Sequence, residues 1–219
     1  MDRVLELRGE FLDGLGGTLY LVAGGLLVGG VIGLLVGVGL YVTRAGGIAP
    51  QRSVNVTLNV LVNFFRPIPF ILLAIALQPV TRSVGVGGIG QNFALVAVVF
   101  ASAFGIARIV EQNLFSVNPG VLEAARSMGA SRFHVVRTVL LPEALGPLVL
   151  GFAFALVAIV DMTAIVGVIG ADSLGNVALT YGYRQYDWAV TAVAILIVIA
   201  IVQLGQLAGN LLARRIMRR

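Results

Sequence analysis

Residues 15–42 read LGGTLYLVAGGLLVGGVIGLLVGVGLYV, 28 positions without a charge. About 20 apolar residues in a helix cross the hydrocarbon core of a bilayer, so this stretch predicts a membrane span and decides the fold class. Four more apolar runs follow, over residues 54–80 (interrupted by Arg66), 93–110, about 145–169 and 188–213. Together they predict an all-α integral membrane protein with five transmembrane helices. Composition agrees. Of 219 residues 58% are hydrophobic and 11% charged, where a soluble domain carries about a quarter charged, and the mean hydropathy is +1.00. The first run is too long for the apolar part of a cleavable signal peptide, and acidic residues precede it.

Positive charge marks the cytoplasmic side of a span. Arg214, Arg215, Arg218 and Arg219 put the C-terminus inside, and five spans then put the N-terminus outside. The other segments follow suit. Asp2, Glu6, Glu10 and Asp13 outnumber Arg3 and Arg8 before the first run, while Arg44 and Arg52 stand without an acid after it. Arg126, Arg132 and Arg137 fall between the third and fourth runs. Tyr181, Tyr183, Tyr186 and Trp188 form an aromatic belt at the predicted outer surface.

Several functions are excluded by what is missing. The chain has no cysteine, so disulfides, thiolate metal sites and cysteine catalysis are ruled out; one histidine, His134, makes no metal cluster. All 15 basic residues are arginine. A phosphate-binding Walker loop needs a lysine, so any ATPase sits on another polypeptide. The pI near 10.4 does not indicate a nucleic-acid face, because the arginines are dispersed between apolar runs. Gly25, Gly29, Gly33 and Gly37 recur every fourth residue and make a smooth stripe that predicts close helix packing.

Residues 111–140 are too polar for the membrane and too long for a plain turn. Asn118 followed by Pro119 predicts a helix start, with Val121, Leu122, Ala125 and Met128 on one face. Gly129 ends that helix. Ser131 predicts the cap of a second short helix, lined by Phe133, Val136 and Leu140, and Pro142 stands at the hand-over to the fourth span. Such a helix lies on a membrane surface or plugs into a partner's groove.

The residues themselves decide between these. Glu123-Ala124-Ala125-Arg126-Ser127-Met128-Gly129, followed by Leu140-Leu141-Pro142, resembles the EAA loop of ABC-importer permeases: EAA, three residues, Gly, then a Leu-Pro end about a dozen residues on. With residues 63–70 (NFFRPIPF) and Tyr181-Gly182-Tyr183, nearly the whole chain is similar to the methionine-importer permease family, of type-I ABC importer permease fold. The resemblance implies one transmembrane permease domain over 1–219, with a coupling loop at about 116–142. It implies a bacterial inner-membrane, multi-pass subunit, with no catalysis and no cofactor on this chain. Two copies would form a homodimer around one path, above two ATPase subunits that carry Mg-ATP, and an extracytoplasmic substrate-binding lipoprotein would deliver methionine, another amino acid or a small polar or cationic solute. Glu123, Ala124, Ala125, Arg126, Met128, Gly129 and Pro142 are then the ATPase-coupling residues.

Two intramembrane charges are candidates for the path. Arg66 sits beside Pro67 and Pro69, which loosen the helix; it lines the path, snorkels to the cytoplasmic interface or bonds free carbonyls of a neighbouring helix. Met162 and Thr163 are path candidates next to Asp161, whose charge departs from the family pattern, which is uncharged there. Asp161 pairs with Arg66 or faces the path. A secondary transporter would show repeated halves with broken helices, which are not seen. A scaffold would not need the EAA spacing, and no nucleophile–base set marks an enzyme.

Overall fold

A computed structural model describes residues 2–217; Arg218 and Arg219 of the basic tail lie outside them. Four helices are long and apolar enough to cross a membrane: Arg8–Thr43, Gln91–Leu114, Arg132–Ile169 and Trp188–Met217. These are spans 1, 3, 4 and 5. Each runs past its apolar stretch at one or both ends, because hydropathy registers the hydrocarbon and not the helix that continues into the interface. Glu111, expected in the loop, is therefore inside span 3 and buried.

Span 2 differs from its prediction. It is two helices, Arg52–Phe65 and Phe70–Ser83, bent by 112° at the break. Each has 14 residues and is roughly 21 Å long, too short by itself for a ~30 Å core. Pro67 and Pro69 explain the break, since neither has an amide hydrogen and each disfavours helical geometry in the residue before it. Together the two halves make the fifth membrane segment.

Span 1 packs along span 3 through the glycine stripe. A Cβ on Gly33 would lie 2.8 Å from the Ala103 carbonyl oxygen and from Ile106, and one on Gly37 2.5 Å from the Ala107 carbonyl oxygen. Gly25 and Gly29 meet Val98 and Ser102 in the same order, so the two spans are parallel. Within the stripe, Gly25–Gly29 form a π-helical turn. The Ser102 hydroxyl reaches the Gly25 carbonyl at 3.2 Å, a bond between the spans where the local backbone pattern is irregular.

The ends sort into two groups. Arg3 pairs with Asp187 at 3.7 Å. Gln91 donates to the Gly17 carbonyl at 3.3 Å and accepts from the Asp172 amide at 2.9 Å. The N-terminus thus shares one end of the molecule with the segment before span 5. Gly146, near the EAA loop, touches Met217 at the other end. Arg214 and Arg215 and the EAA loop are on the same side, opposite the N-terminus.

Gly33→Val should overpack the span 1–span 3 contact and cost about 1–3 kcal/mol, read as a lower melting temperature of the detergent-solubilised protein. Gly105→Ala, on span 3 with nothing within 4 Å of its added Cβ, should leave melting unchanged or raise it.

Candidate coupling site and membrane path

The candidate coupling helix is Pro119–Ser127, capped as its sequence predicts: the Asn118 side chain accepts from the Gly120 amide at 2.9 Å. Its other end closes on Gly129 at φ +84°. The Gly129 amide bonds the Arg126 carbonyl and the Ala130 amide bonds the Ala125 carbonyl, which is the paired closure that a left-handed residue permits after a helix. No atom lies within 4 Å of a Cβ added at Gly129, so backbone conformation and not space demands glycine there.

The predicted apolar face is divided. Leu122 and Ala125 are buried in the main core, whereas Val121 and Met128 are exposed, Met128 to 83%. Glu123 and Ala124 are exposed as well. The helix therefore seats one edge and presents the ridge Glu123, Ala124 and Met128 outward.

Arg126 faces the protein's own body. Its guanidinium donates to the Gly47 carbonyl at 2.9 Å, in the loop after span 1. Beneath it the Arg44 guanidinium lies 4.2 Å from the ring centres of both Tyr41 and Phe115, stacked where spans 1 and 3 end. Cation–π contacts of this kind contribute about 0.5–2 kcal/mol each. Arg126 and Arg44 make the coupling helix and the ends of spans 1 and 3 one mechanical piece.

The second short helix is not separate. Ser131 caps it, accepting from the His134 amide at 3.3 Å, and it runs without interruption into span 4. A π-helical stretch, Val135–Leu140, precedes Pro142. Proline lacks the donor that the preceding turn expects, and the wider π pattern absorbs that gap. Leu140 is buried, but Phe133 is 74% exposed, so it faces outward, as Met128 does, and not into the core. An aromatic in a polar, arginine-rich loop was the signal for this.

Of the two alternatives for Asp161, the ion pair with Arg66 is not formed among the described residues. Both side chains are exposed, and the ion pairs among the described residues are Arg3–Asp187 and Arg108–Glu111. Asp161 lies in a stripe of span 4 whose other members, Leu150, Phe154, Ile165 and Val168, are exposed and apolar. Thr163 is buried with its hydroxyl on the Val160 carbonyl at 2.7 Å, and Met162 packs partly into the core.

A polar ladder inside the membrane segment was not foreseen. The Thr43 hydroxyl donates to the Gly39 carbonyl, and Asn55 donates to Thr43 and to the Leu40 carbonyl. Asn59 donates to Asn55. Arg108 then bonds Glu111 at 2.5 Å, Asn63 at 2.6 Å and Asn59 at 3.4 Å. The asparagines recur every fourth residue, the spacing that puts them on one helix face; that spacing was the available signal.

A family model described as the binding-protein-dependent transport system inner membrane component matches residues 29–218. The chain belongs to this family. Relatives include the probable D-methionine transport system permease protein MetI of Vibrio cholerae, 37% identical over 91% of this chain and 88% of that protein. The methionine import system permease protein MetP of Bacillus subtilis is 39% identical over 82% of this chain and 81% of its own. Among solved structures, a chain of the inward-facing MetNI methionine ABC transporter superposes with a TM-score of 0.92 at 37% identity, covering 96% of this permease and 98% of that chain. An amino acid ABC transporter solved with histidines shares the fold, with a TM-score of 0.81 at 20% identity.

In this permease, Gly129→Val should destabilise the turn by about 1–2 kcal/mol and Gly129→Asn by clearly less, because asparagine tolerates the left-handed conformation. Limited proteolysis of the loop after reconstitution should rank wild type, Asn and Val in that order of resistance.

Proposed function

We propose that the chain is the permease subunit of an ATP-driven methionine importer in the bacterial inner membrane, with the N-terminus outside and the C-terminus in the cytoplasm. The observation that carries this reading is the match of nearly the whole chain to a methionine-transporter permease in both sequence and backbone. Two copies surround one path, two ATPase subunits beneath them bind Mg-ATP, and an extracytoplasmic binding lipoprotein delivers cargo. No catalytic group or cofactor belongs to this chain, and residues 1–219 act as one permease domain with its coupling loop at 116–142.

Glu123, Ala124, Met128 and Phe133 seat in a cleft of the ATPase, and Ala125, Arg126, Gly129 and Pro142 hold that ridge in shape. When the ATPase pair closes, the ridge moves, and the Arg126–Gly47 and Arg44 contacts carry the motion into the ends of spans 1 and 3. Rigid-body rotation of packed helices then exchanges inward-open and outward-open states. The path runs along the faces bearing Arg66 and Asp161, since exposed charge inside a membrane belongs beside water or protein and not lipid. Met162 and Thr163 stand behind Asp161 and hold its helix in register.

Mild-detergent purification of the tagged chain should retain one ATPase per permease by mass spectrometry, and proteoliposomes of that complex with its binding protein should take up labelled methionine. Gly129→Asp should insert normally and lose uptake, because it places a carboxylate on the docking ridge beside Glu123. Asp161→Asn should change the ranking of neutral against cationic cargo at unchanged yield. Lower yield with an unchanged ranking would make Asp161 structural.

A further inference from the structure

The break in span 2 opens a hollow of about 380 Å³ lined by Asn63, Arg66 and Pro67. Irregular backbone and a guanidinium are both exposed on this face. Neither is tolerated against lipid, so the face meets water or a second protein surface. Among the described residues, the Arg66 guanidinium has no hydrogen bond or ion pair and is free to meet a ligand.

Asn63 is oriented by chemistry and not by chance. Arginine has donors and no acceptor, so the side chain that receives the 2.6 Å bond from Arg108 must present its oxygen to it. The Asn63 NH2 group is thereby turned away from Arg108. Arg108 cannot rotate to relax this arrangement, because Glu111 holds it at 2.5 Å and Asn59 at 3.4 Å. Glu111, 8% exposed, spends its charge on Arg108 and leaves that of Arg66 uncompensated. Pro67 contributes no amide hydrogen and no polar side chain. The polar side chains of the hollow are then a cation and an amide whose carbonyl is already engaged, and both offer donors.

We propose that this hollow binds a carboxylate, with Arg66 and Asn63 as its ligands and Arg108 as the residue that positions Asn63. The assignment rests on the importer reading above and deepens it: the carboxylate is the α-carboxylate of the amino-acid cargo, met at the break in span 2. Guanidinium and amide donors converging on one carboxylate recognise the group common to all amino acids, so the hollow accepts the backbone of the cargo and leaves selection of its side chain to other surfaces.

The chain has no cysteine, so Phe64→Cys, at an exposed position next to Asn63, places a single reporter thiol beside the hollow and keeps both prolines of the break and both donors. In the permease–ATPase complex, in nucleotide-free discs of uncharged phosphatidylcholine, the modification of that thiol by a neutral maleimide is followed on the permease by mass spectrometry. Millimolar methionine should slow it and methionine amide, which lacks the carboxylate, should not. Adding Arg66→Gln should weaken the protection about tenfold, the loss expected for one charge-assisted bond. Adding Asn63→Asp, which keeps an acceptor for Arg108 but turns a carboxylate toward the ligand, should abolish it.

Equal protection by methionine and its amide, or none by either, in a complex that imports methionine would overturn the assignment and leave the importer reading standing. Protection that appears only when anionic lipid is added, and not with methionine, would overturn it in favour of a lipid headgroup. A complex that imports no methionine, yet is protected by another amino acid and not by its amide, would uphold the carboxylate site and move the cargo.

Discussion

Everything downstream depends on how closely span 1 approaches span 3. In a bilayer the hydrophobic effect does not drive one apolar helix against another, and association relies on close packing and on bonds between helices. Four glycines spaced by four remove the side chains that would hold the two backbones apart, and Ser102 bonds the Gly25 carbonyl across the contact. Because the two helices are parallel, they finish at the same membrane surface. That is why Tyr41 and Phe115, at their two ends, can meet edge to face at 5.3 Å and share the Arg44 guanidinium.

From that contact the candidate coupling helix follows. Leu122 and Ala125 bury one edge against the core, Arg126 fixes the other to Gly47, and a hollow of only about 60 Å³ remains between the helix and the loop beneath it. The helix is thus anchored on two sides and does not hang on a free loop. The second helical piece is continuous with span 4, since Arg132–Ile169 reaches from the EAA loop to the far end of the span.

Arginine is the only basic residue of this protein, and four of its arginines do different work. Arg44 lies over two rings that meet edge to face, Arg126 bonds a carbonyl, Arg108 bridges a carboxylate and two asparagines, and Arg66, unpaired among the described residues, stands at a helix break. A planar guanidinium with five donors suits the first three tasks, where a lysine ammonium offers only a compact point charge. The same geometry lets Arg108 orient Asn63 beside the exposed Arg66.

Much of this was legible in the sequence because its causes are local. Apolar run length gives spans, Asn118-Pro119 gives a helix start, and Gly129 gives a helix end; each depends on residues within a turn or two of itself. The glycine spacing likewise announced a packing surface, though not its partner. The EAA spacing pointed to the family, which the match over residues 29–218 shows. What the sequence left open are relations between distant residues. Whether Arg66 meets Asp161, whether Arg126 faces a partner or Gly47, whether Phe133 faces the core or outward, and which helix the asparagine stripe addresses all depend on where other elements come to rest. Hydropathy also could not show that residues 52–83 turn by 112°, since a straight span and a broken one have the same composition. Local backbone and solvation preferences set the elements; only the packing of spans 1, 3 and 4 decided which side chains they bring together.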